Sequence, residues 1–409
     1  MRVSDLHPGL VLARDVRDVN GRLLISGGTC LNDRFIGVLK AWGVGEVQVE
    51  GEKASEPGEA GLEEALAQAE EIMDARLARN DLSHGFVQEV FRLGAARIAA
   101  AIERGEPCAP PPVELGEPEP RSESAQVLDL EALTASNPAL GAMPEVLARL
   151  AQAMENPSAS PVEVAGIIQN DPALAAKLLK VANSALYGFP QRIDTISRAV
   201  TVIGVQQLSA LALGVSVMDM FKDIPRDVLN VRGFWRHCLA CACGARALAS
   251  ALGMPNTERI FVSGLLHDVG LLLFILHAPD RFRQVLQLVR ERGESLTGAE
   301  RRVLGVDHGL AGGALLAGWG LPPSLTEATR HHHEPLASPD IRNVAIVHVA
   351  DFLAEALVAG SGGQSVLMPL HTVAFDMLDA PSGVAGTVVS RVEDQLGQLE
   401  SIFMQNVSH

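Results

Sequence analysis

Gly264-Leu265-Leu266-His267-Asp268-Val269-Gly270 places a histidine beside an aspartate at the end of an apolar run. Such a pair can offer a ring nitrogen and a carboxylate to one divalent ion, or to the two ions of a dinuclear site. An isolated His-Asp pair is more often a hydrogen-bonded surface or capping pair. Here, however, further candidate ligands flank it in segments that read as helices: His237, His308, His332, His333 and Asp351. We therefore predict a metal site centred on His267 and Asp268.

The composition is typical of a globular chain with a large core. The chain has 409 residues, of which 47% are hydrophobic and only 4% aromatic. Alanine, leucine and valine must therefore fill the core, which favours packed helices. The net charge of -16 repels nucleic acid and anionic lipid, so we expect no nucleic-acid and no membrane partner.

Cysteine usage and the chain start bear on the compartment. The five cysteines are an odd number without the spacing of a disulfide framework. No Lys/Arg-led apolar signal segment opens the chain, and no uninterrupted apolar run approaches the ~20 residues of a membrane span. We expect a reduced, cytoplasmic protein. Cys238, Cys241 and Cys243 form C-x-x-C-x-C in a helical run, which splits them over two faces, and we interpret them as small core residues.

Pattern changes divide the chain into a small module and a large helical part. Residues 1–51 read as a β-rich adaptor with one helix, because Asn20-Gly21 predicts a hairpin turn and Asn32 a helix cap. Residues 52–105 read as a helical segment. Residues 106–125 are rich in proline and glutamate and predict an extended tether. Residues 126–409 are strongly helical, with halves at 126–225 and 226–409. The predicted fold class is mainly α, preceded by a small α+β module.

These motifs resemble the HD superfamily and, within it, the HDOD proteins, which are bacterial signalling modules. The order of one early histidine, the His-Asp pair, further histidines and a late aspartate carries the first resemblance. The second rests on Met143–Val146, Asn170–Leu174, Leu178–Ser184, Phe234-Trp235, Gly264–Gly270 and Trp319–Pro322. The resemblance implies an all-helical domain over about residues 130–400. Leu6–Leu10, the Asn20-Gly21 hairpin and Leu31–Val49 resemble a small domain found ahead of such modules.

HD-GYP phosphodiesterases, which hydrolyse cyclic di-GMP, are the enzymes that this half resembles. Their metal pattern falls on His237, His267, Asp268, His308, His332, His333 and Asp351. The resemblance implies a divalent, dinuclear centre of Fe, Mn or Zn. Two departures oppose catalysis: Leu271 stands where the enzymes have lysine, and no Gly-Tyr-Pro segment follows His333-Glu334.

Neighbouring residues leave smaller alternatives open. Successive helical residues point about 100° apart, so three consecutive histidines cannot all face one centre, and His331 is predicted to be exposed. His348 is expected to lie outside the ligand set, and Asp307 either orients His308 or caps its helix. The basic stretch is a solvated face or, less favoured, a phosphate-binding surface for a nucleotide: Arg281, Arg283, Arg290, Arg292, Arg301 and Arg302.

The sequence favours a signalling output protein that binds regulatory proteins and holds a metal without turnover. A homodimer and a nucleotide ligand are further expectations. The alternative is a metal-dependent phosphohydrolase acting on cyclic di-GMP or another nucleotide. A third reading is a scaffold without metal, whose relict ligands only hydrogen-bond to one another.

Overall fold

The computed structural model divides into two compact units, Met1–Glu64 and Ala65–His409. It describes residues 59–105, 145–156, 158–221, 229–357 and 366–404, with 128, 224 and, nearer the start, 3, 6–7, 9–14, 16–17, 23–25, 28–32, 35–36, 39 and 47–49. The predicted tether 106–125 and the predicted Asn20-Gly21 turn lie outside these residues.

The first unit has a short antiparallel pair of strands and its own apolar core. Strand β1 (Val16–Arg17) pairs with β2 (Leu23–Ile25), and Val16 lies opposite Ile25. Leu12 and Leu31 are almost fully buried in this core. Asn32 accepts a hydrogen bond from the Phe35 amide at 2.9 Å, so the predicted cap is confirmed. The remainder of the predicted α+β module stays a prediction.

Helices make up the second unit, and the predominantly helical fold is confirmed. In chain order they are α1 (Glu59–Arg76), α2 (Gly85–Glu103), α3 (Glu145–Glu155), α4 (Pro161–Gln169), α5 (Pro172–Ala182), α6 (Ile196–Ile203), α7 (Val205–Met220), α8 (Val231–Ala251), α9 (Thr257–Leu266), α10 (Val269–His277), α11 (Pro279–Arg292), α12 (Leu296–Leu304), α13 (His308–Gly318), α14 (Pro323–His331), a 3-10 turn (Pro335–Ala337), α15 (Ile341–Leu357), α16 (Thr372–Asp376) and α17 (Val384–Phe403).

Local capping explains where several helices begin. Ser160 accepts from the Glu163 amide, and Pro161 occupies the first position of α4, where no backbone donor is needed. Asp171 accepts from two amides at the start of α5, at 2.9 and 3.0 Å. Both starts are predicted from sequence because a cap involves residues only two or three apart.

Two glycines bring the helices of the His-Asp motif close to their neighbours. A Cβ on Gly264 would lie 2.9 Å from the Ala242 Cα of α8, and one on Gly270 only 1.9 Å from the His308 carbonyl oxygen. Real Cβ atoms do not approach backbone so closely, so only glycine permits these contacts. The motif therefore packs against α8 on one side and α13 on the other.

Thr257–His277 has the length and hydropathy of a membrane span, which the sequence analysis did not expect. Its most apolar window is 83% buried inside the protein, as in a core helix. His267 and Asp268 interrupt this stretch, between the end of α9 and the start of α10.

Candidate metal centre

All seven predicted ligands lie in one buried cluster, although they come from five separate parts of the chain. His237 belongs to α8, the His267-Asp268 pair joins α9 to α10, and Asp351 belongs to α15. His308 is the first residue of α13, and His332 and His333 directly follow α14. The side chains of His267 and His332 are completely buried.

The first half of the cluster collects around one carboxylate oxygen of Asp268. His237 Nε2 lies 3.3 Å from His267 Nε2 and 3.0 Å from Asp351 Oδ1. His267 Nε2 lies 3.4 Å from the same Asp351 oxygen. Asp268 Oδ2 lies 3.6 Å from His237 Nε2 and 3.3 Å from His267 Nε2. We call these four residues the His237 half.

The second half collects around the other oxygen of Asp268. Asp268 Oδ1 lies 3.2 Å from His308 Nε2 and 3.4 Å from His332 Nε2. His333 Nε2 lies 2.9 Å from His308 Nε2. We call His308, His332, His333 and Asp268 the His308 half. Asp268 is thus shared by two sets of donors, as a bridging carboxylate would be.

These separations fit ligands that share an ion. Bonds of 2.0–2.2 Å to imidazole or carboxylate place neighbouring donors roughly 2.9–3.6 Å apart in octahedral to tetrahedral geometry. His332 Nε2 and Asp351 Oδ1 are also buried, and their polar contacts in the cluster are too poorly directed to count as hydrogen bonds among the described residues. An unsatisfied buried polar atom is costly, and a cation between the donors would remove that cost. The residues present therefore fit a divalent metal.

Hydrogen bonds outside the cluster set the ring tautomers. The Nδ1 atoms of His267 and His332 lie 2.8 Å from the Gly264 and Thr329 carbonyl oxygens, respectively. A carbonyl oxygen can only accept, so Nδ1 carries a proton and Nε2 faces the centre. Burial opposes charge on His267, but Asp268 raises its pKa well above the ordinary value, so a bound ion would take the place of a proton on its Nε2 atom.

Glu300 does the same for His308, a role that the sequence analysis missed. Its Oε2 accepts from the His308 amide at 3.0 Å and lies 2.7 Å from His308 Nδ1. Glu300 is completely buried on α12. Of the two roles predicted for Asp307, capping is confirmed, because its side chain accepts from the Leu310 amide at the start of α13 and pairs with Arg301. No local pattern identifies Glu300, because its burial depends on how α12 packs.

The histidine run ends its helix one residue before the ligands. Helix α14 ends at His331, and His332 continues in a helical backbone conformation, with φ −60° and ψ −22°. The rings of His332 and His333 nevertheless both reach the centre, with their centroids 3.9 Å apart. His331 turns away and lies 3.5 Å from Glu327.

His348 lies outside the ligand set, as expected. Its Nδ1 lies 2.7 Å from the His332 carbonyl oxygen, and its Nε2 accepts from the His371 amide at 2.8 Å. Nδ1 therefore supports the segment that carries His332, and Nε2 holds the residue that precedes α16. Burial lowers the pKa of His348 to about 4, so the ring is neutral.

Electrostatics of the centre favour positive charge. Burial disfavours ionised aspartates, yet neighbouring histidines, first His267, hold the pKa of Asp268 and Asp351 well below the usual range. Burial lowers the pKa of His332 and His333. Burial also opposes charge on His308, but the carboxylates of Glu300 and Asp268 raise its pKa well above the ordinary value. Ionised aspartates attract positive charge, which either protons on the neighbouring histidines or a metal ion can supply.

A small cavity adjoins the cluster. The space open to the centre of a water molecule is about 20 Å³, enough for roughly one water or ion. Its wall is formed by Asp268, Leu296, Thr297, His308, His333, Asp351, Glu355 and Met368. Burial and the nearby Asp351 raise the pKa of Glu355 to about 7. Glu355 lies one helical turn after Asp351 on α15, and no sequence pattern marked it as part of the site.

The basic stretch on α11 and α12 is largely engaged by the protein itself. Arg281 donates to the Val303 carbonyl oxygen, and Arg283 pairs with Asp280. Arg301 contacts Asp307 and Glu334, and Arg302 lies 3.2 Å from Glu294. These contacts favour a paired helix face over a phosphate-binding surface.

Comparison with known families identifies the helical region. Residues 140–335 match the family described as the HDOD domain. This stretch is an HDOD domain. It contains six of the seven clustered ligands, whereas Asp351 lies beyond the matched residues and joins them through the packing of α15.

Relatives of the HDOD domain extend the comparison. An uncharacterized protein of Treponema pallidum is 28% identical over 204 residues, which cover 48% of this chain and 38% of that protein. An HDOD domain protein of unknown function from Geobacter sulfurreducens is 28% identical and has a TM-score of 0.49, covering 64% of this chain and 88% of that one. A proposed phosphohydrolase from Shewanella amazonensis, at 20% identity, has a TM-score of 0.54 and covers 70% of this chain and 100% of that one. The Shewanella comparison shows a shared fold.

Proposed function

We propose that this protein is a bacterial signal-transduction output protein that binds regulatory proteins and holds a divalent metal without turning over a substrate. The observation that carries the proposal is a complete donor cluster beside a small cavity whose described wall contains no lysine or arginine. The cluster suits an ion, whereas this wall offers no basic group to a nucleotide phosphate.

The metal would join helices that are distant in sequence. The His237 half and the His308 half would each hold one ion, with Asp268 shared between them. Such ions could polarise a phosphoryl oxygen and lower the pKa of a bound water. The chain's own contribution is to aim Nε2 donors inward and to hold α8, α13 and α15 around the His-Asp motif. A Fe, Mn or Zn centre of this kind would stabilise the fold.

Three features of the site speak against turnover. Among the described residues of the cavity wall there is no lysine or arginine to receive a phosphate. Glu355 adds a further carboxyl group beside Asp268 and Asp351 and would repel an anion when ionised. Leu271, in the position of the lysine of the enzymes that the chain resembles, is buried in the apolar core. The ligand set is thus retained without a basic group for a substrate.

The second candidate is a metal-dependent phosphohydrolase acting on cyclic di-GMP or another nucleotide. The two half-sites that share Asp268 favour it, because a pair of ions can hold both oxygens of a displacement at phosphorus. The described function of the Shewanella neighbour points in the same direction, although at 20% identity that likeness concerns the fold.

A turnover assay separates the two candidates. Full-length protein, loaded with Fe²⁺, Mn²⁺ or Zn²⁺ and analysed for bound metal, is incubated with a panel of cyclic dinucleotides and nucleoside phosphates. We expect bound metal and no product. Product that disappears in Asp268→Ala, but not in the exposed control Asp376→Ala, would establish the phosphohydrolase. Absence of bound metal, with stability unchanged by chelator, would instead favour the scaffold.

The wider role follows from the HDOD resemblance. Partner regulators would dock on the helical surface, and residues 1–51 with 52–105 would act as an adaptor joined through the 106–125 tether. We further propose a cytoplasmic location, no nucleic-acid or membrane partner, and a homodimer. Light scattering of the purified full-length chain tests the homodimer, and a mass corresponding to a single chain would refute it.

A further inference from the structure

A buried thiol lies against the His237 half. Cys241 is fully buried on α8, four residues after His237. Residues four apart lie on the same face of a helix, so both side chains point toward the His-Asp motif. One ligand atom each from Cys241, His267 and Asp351 forms a group in which all three atoms lie within 4.8 Å of one another.

The surroundings of this thiol point to a cation. Asp351 belongs to the same group, and its Oδ1 atom is buried without a well-directed hydrogen bond among the described residues, although it lies 3.0 Å from His237 Nε2. Among the described residues the Cys241 sulfur lies 3.9 Å from the Val347 carbonyl oxygen, the outer limit for a weak S–H donor, and it also interacts with His267. Moving the sulfur onto an ion would therefore sacrifice little, and the ion would also satisfy the Asp351 oxygen.

We propose that Cys241 is a thiolate ligand in the His237 half, which makes the two halves chemically different. This inference rests on the proposed metal centre. On binding, the Cys241 S–H proton passes to solvent and a sulfur–metal bond forms, with no change in oxidation state. The His237 half then offers nitrogen, oxygen and sulfur donors, whereas the His308 half offers nitrogen and oxygen alone.

The proposal predicts metal preference. A site of imidazole and carboxylate already binds Mn²⁺ less tightly than Fe²⁺, Co²⁺ or Zn²⁺, and a thiolate ligand widens that difference in affinity. The His237 half should therefore take Zn²⁺ in preference to Mn²⁺, and the His308 half should discriminate less. Cys238 and Cys243 provide matched controls, because both are buried on α8 and neither belongs to the donor group.

Cobalt absorption tests the thiolate directly. Full-length protein is stripped with chelator under reducing conditions and titrated with Co²⁺, and bound cobalt is quantified. We expect a near-ultraviolet thiolate-to-cobalt charge-transfer band in the wild type, Cys238→Ser and Cys243→Ser. In Cys241→Ser the band should vanish while visible d–d bands show that cobalt remains bound. The same variant should lose Zn²⁺ affinity on the order of 10- to 100-fold, the range known even for groups that only orient ligands.

The outcomes separate this inference from the proposed function. Bound cobalt without a charge-transfer band, or a band that persists in Cys241→Ser, overturns the thiolate and leaves the metal centre intact. Absence of bound cobalt in the wild type overturns both. Thermal unfolding of each metal-free variant, Cys241→Ala included, tests for misfolding. Loss of the band is interpreted as loss of the thiolate ligand in a variant whose melting temperature matches that of Cys238→Ser.

Discussion

Glu300→Gln is expected to weaken metal binding while leaving the metal-free fold largely unchanged. Glu300 Oε2 accepts from both the amide and the Nδ1 atom of His308, at 3.0 and 2.7 Å. Glutamine keeps the shape but is neutral and has a single acceptor oxygen. Because the side chain is completely buried, water cannot replace the lost interaction. His308 would then be held less firmly and would be a less basic donor.

The expected size follows from the hydrogen bonds involved. Bonds to a charged group contribute about 1.5–3 kcal/mol and neutral ones about 0.5–1.5 kcal/mol. Their difference of roughly 1–2 kcal/mol corresponds to about 5- to 30-fold in affinity. That range overlaps the 10- to 100-fold losses typical for partners of ligating histidines. Burial raises the pKa of Glu300, so removing its charge also relieves a desolvation cost in the metal-free protein.

Competition against a chromophoric chelator measures the affinity for Zn²⁺ and Mn²⁺, and urea unfolding measures the stability of the metal-free form. Glu258→Gln is the matched control, because Glu258 is buried but pairs with Arg246 and contacts no ligand. An affinity loss below about threefold in Glu300→Gln, or an equal loss in Glu258→Gln, would refute the role of Glu300.

Three further outcomes follow from the same structure. Chelation should lower the free energy of unfolding by about 3 kcal/mol if free metal had been near 100 times its Kd, and an unchanged urea midpoint would contradict a bound ion. Gly270→Ala should lower the free energy of unfolding by about 3 kcal/mol or more, because its Cβ would lie 1.9 Å from the His308 carbonyl oxygen. Gly318→Ala, which has open space around it, should raise the free energy of unfolding by up to about 1 kcal/mol in the same denaturant titration. The folded pKa of His348, about 4, lies below the unfolded value, so its stabilisation is complete above about pH 6.5 and is lost toward pH 4. His348→Gln, which cannot titrate, should reduce this acid loss by up to about 3 kcal/mol, and identical urea curves against pH for the two metal-free proteins would count against it.

Much of the fold could be predicted from sequence because its causes are local. The caps at Ser160 and Asp171 depend on residues two or three apart, and the helical stripes need no knowledge of their partners. Helix α14 ends at His331, within the histidine run that precedes Pro335, as expected for a helix that approaches a proline.

The seven candidate ligands were also predicted, but through their order along the chain and a resemblance, and not through geometry. The sequence by itself determined which histidines and aspartates were available. Tertiary structure alone decided that they meet, that Asp268 faces both halves, and that Glu300, Glu355 and Cys241 join them. The physical reason is that burial and proximity depend on the packing of α8, α12, α13 and α15. His267-Asp268 reaches its place because Gly264 and Gly270 let those helices approach, a contact between segments that no local pattern encodes.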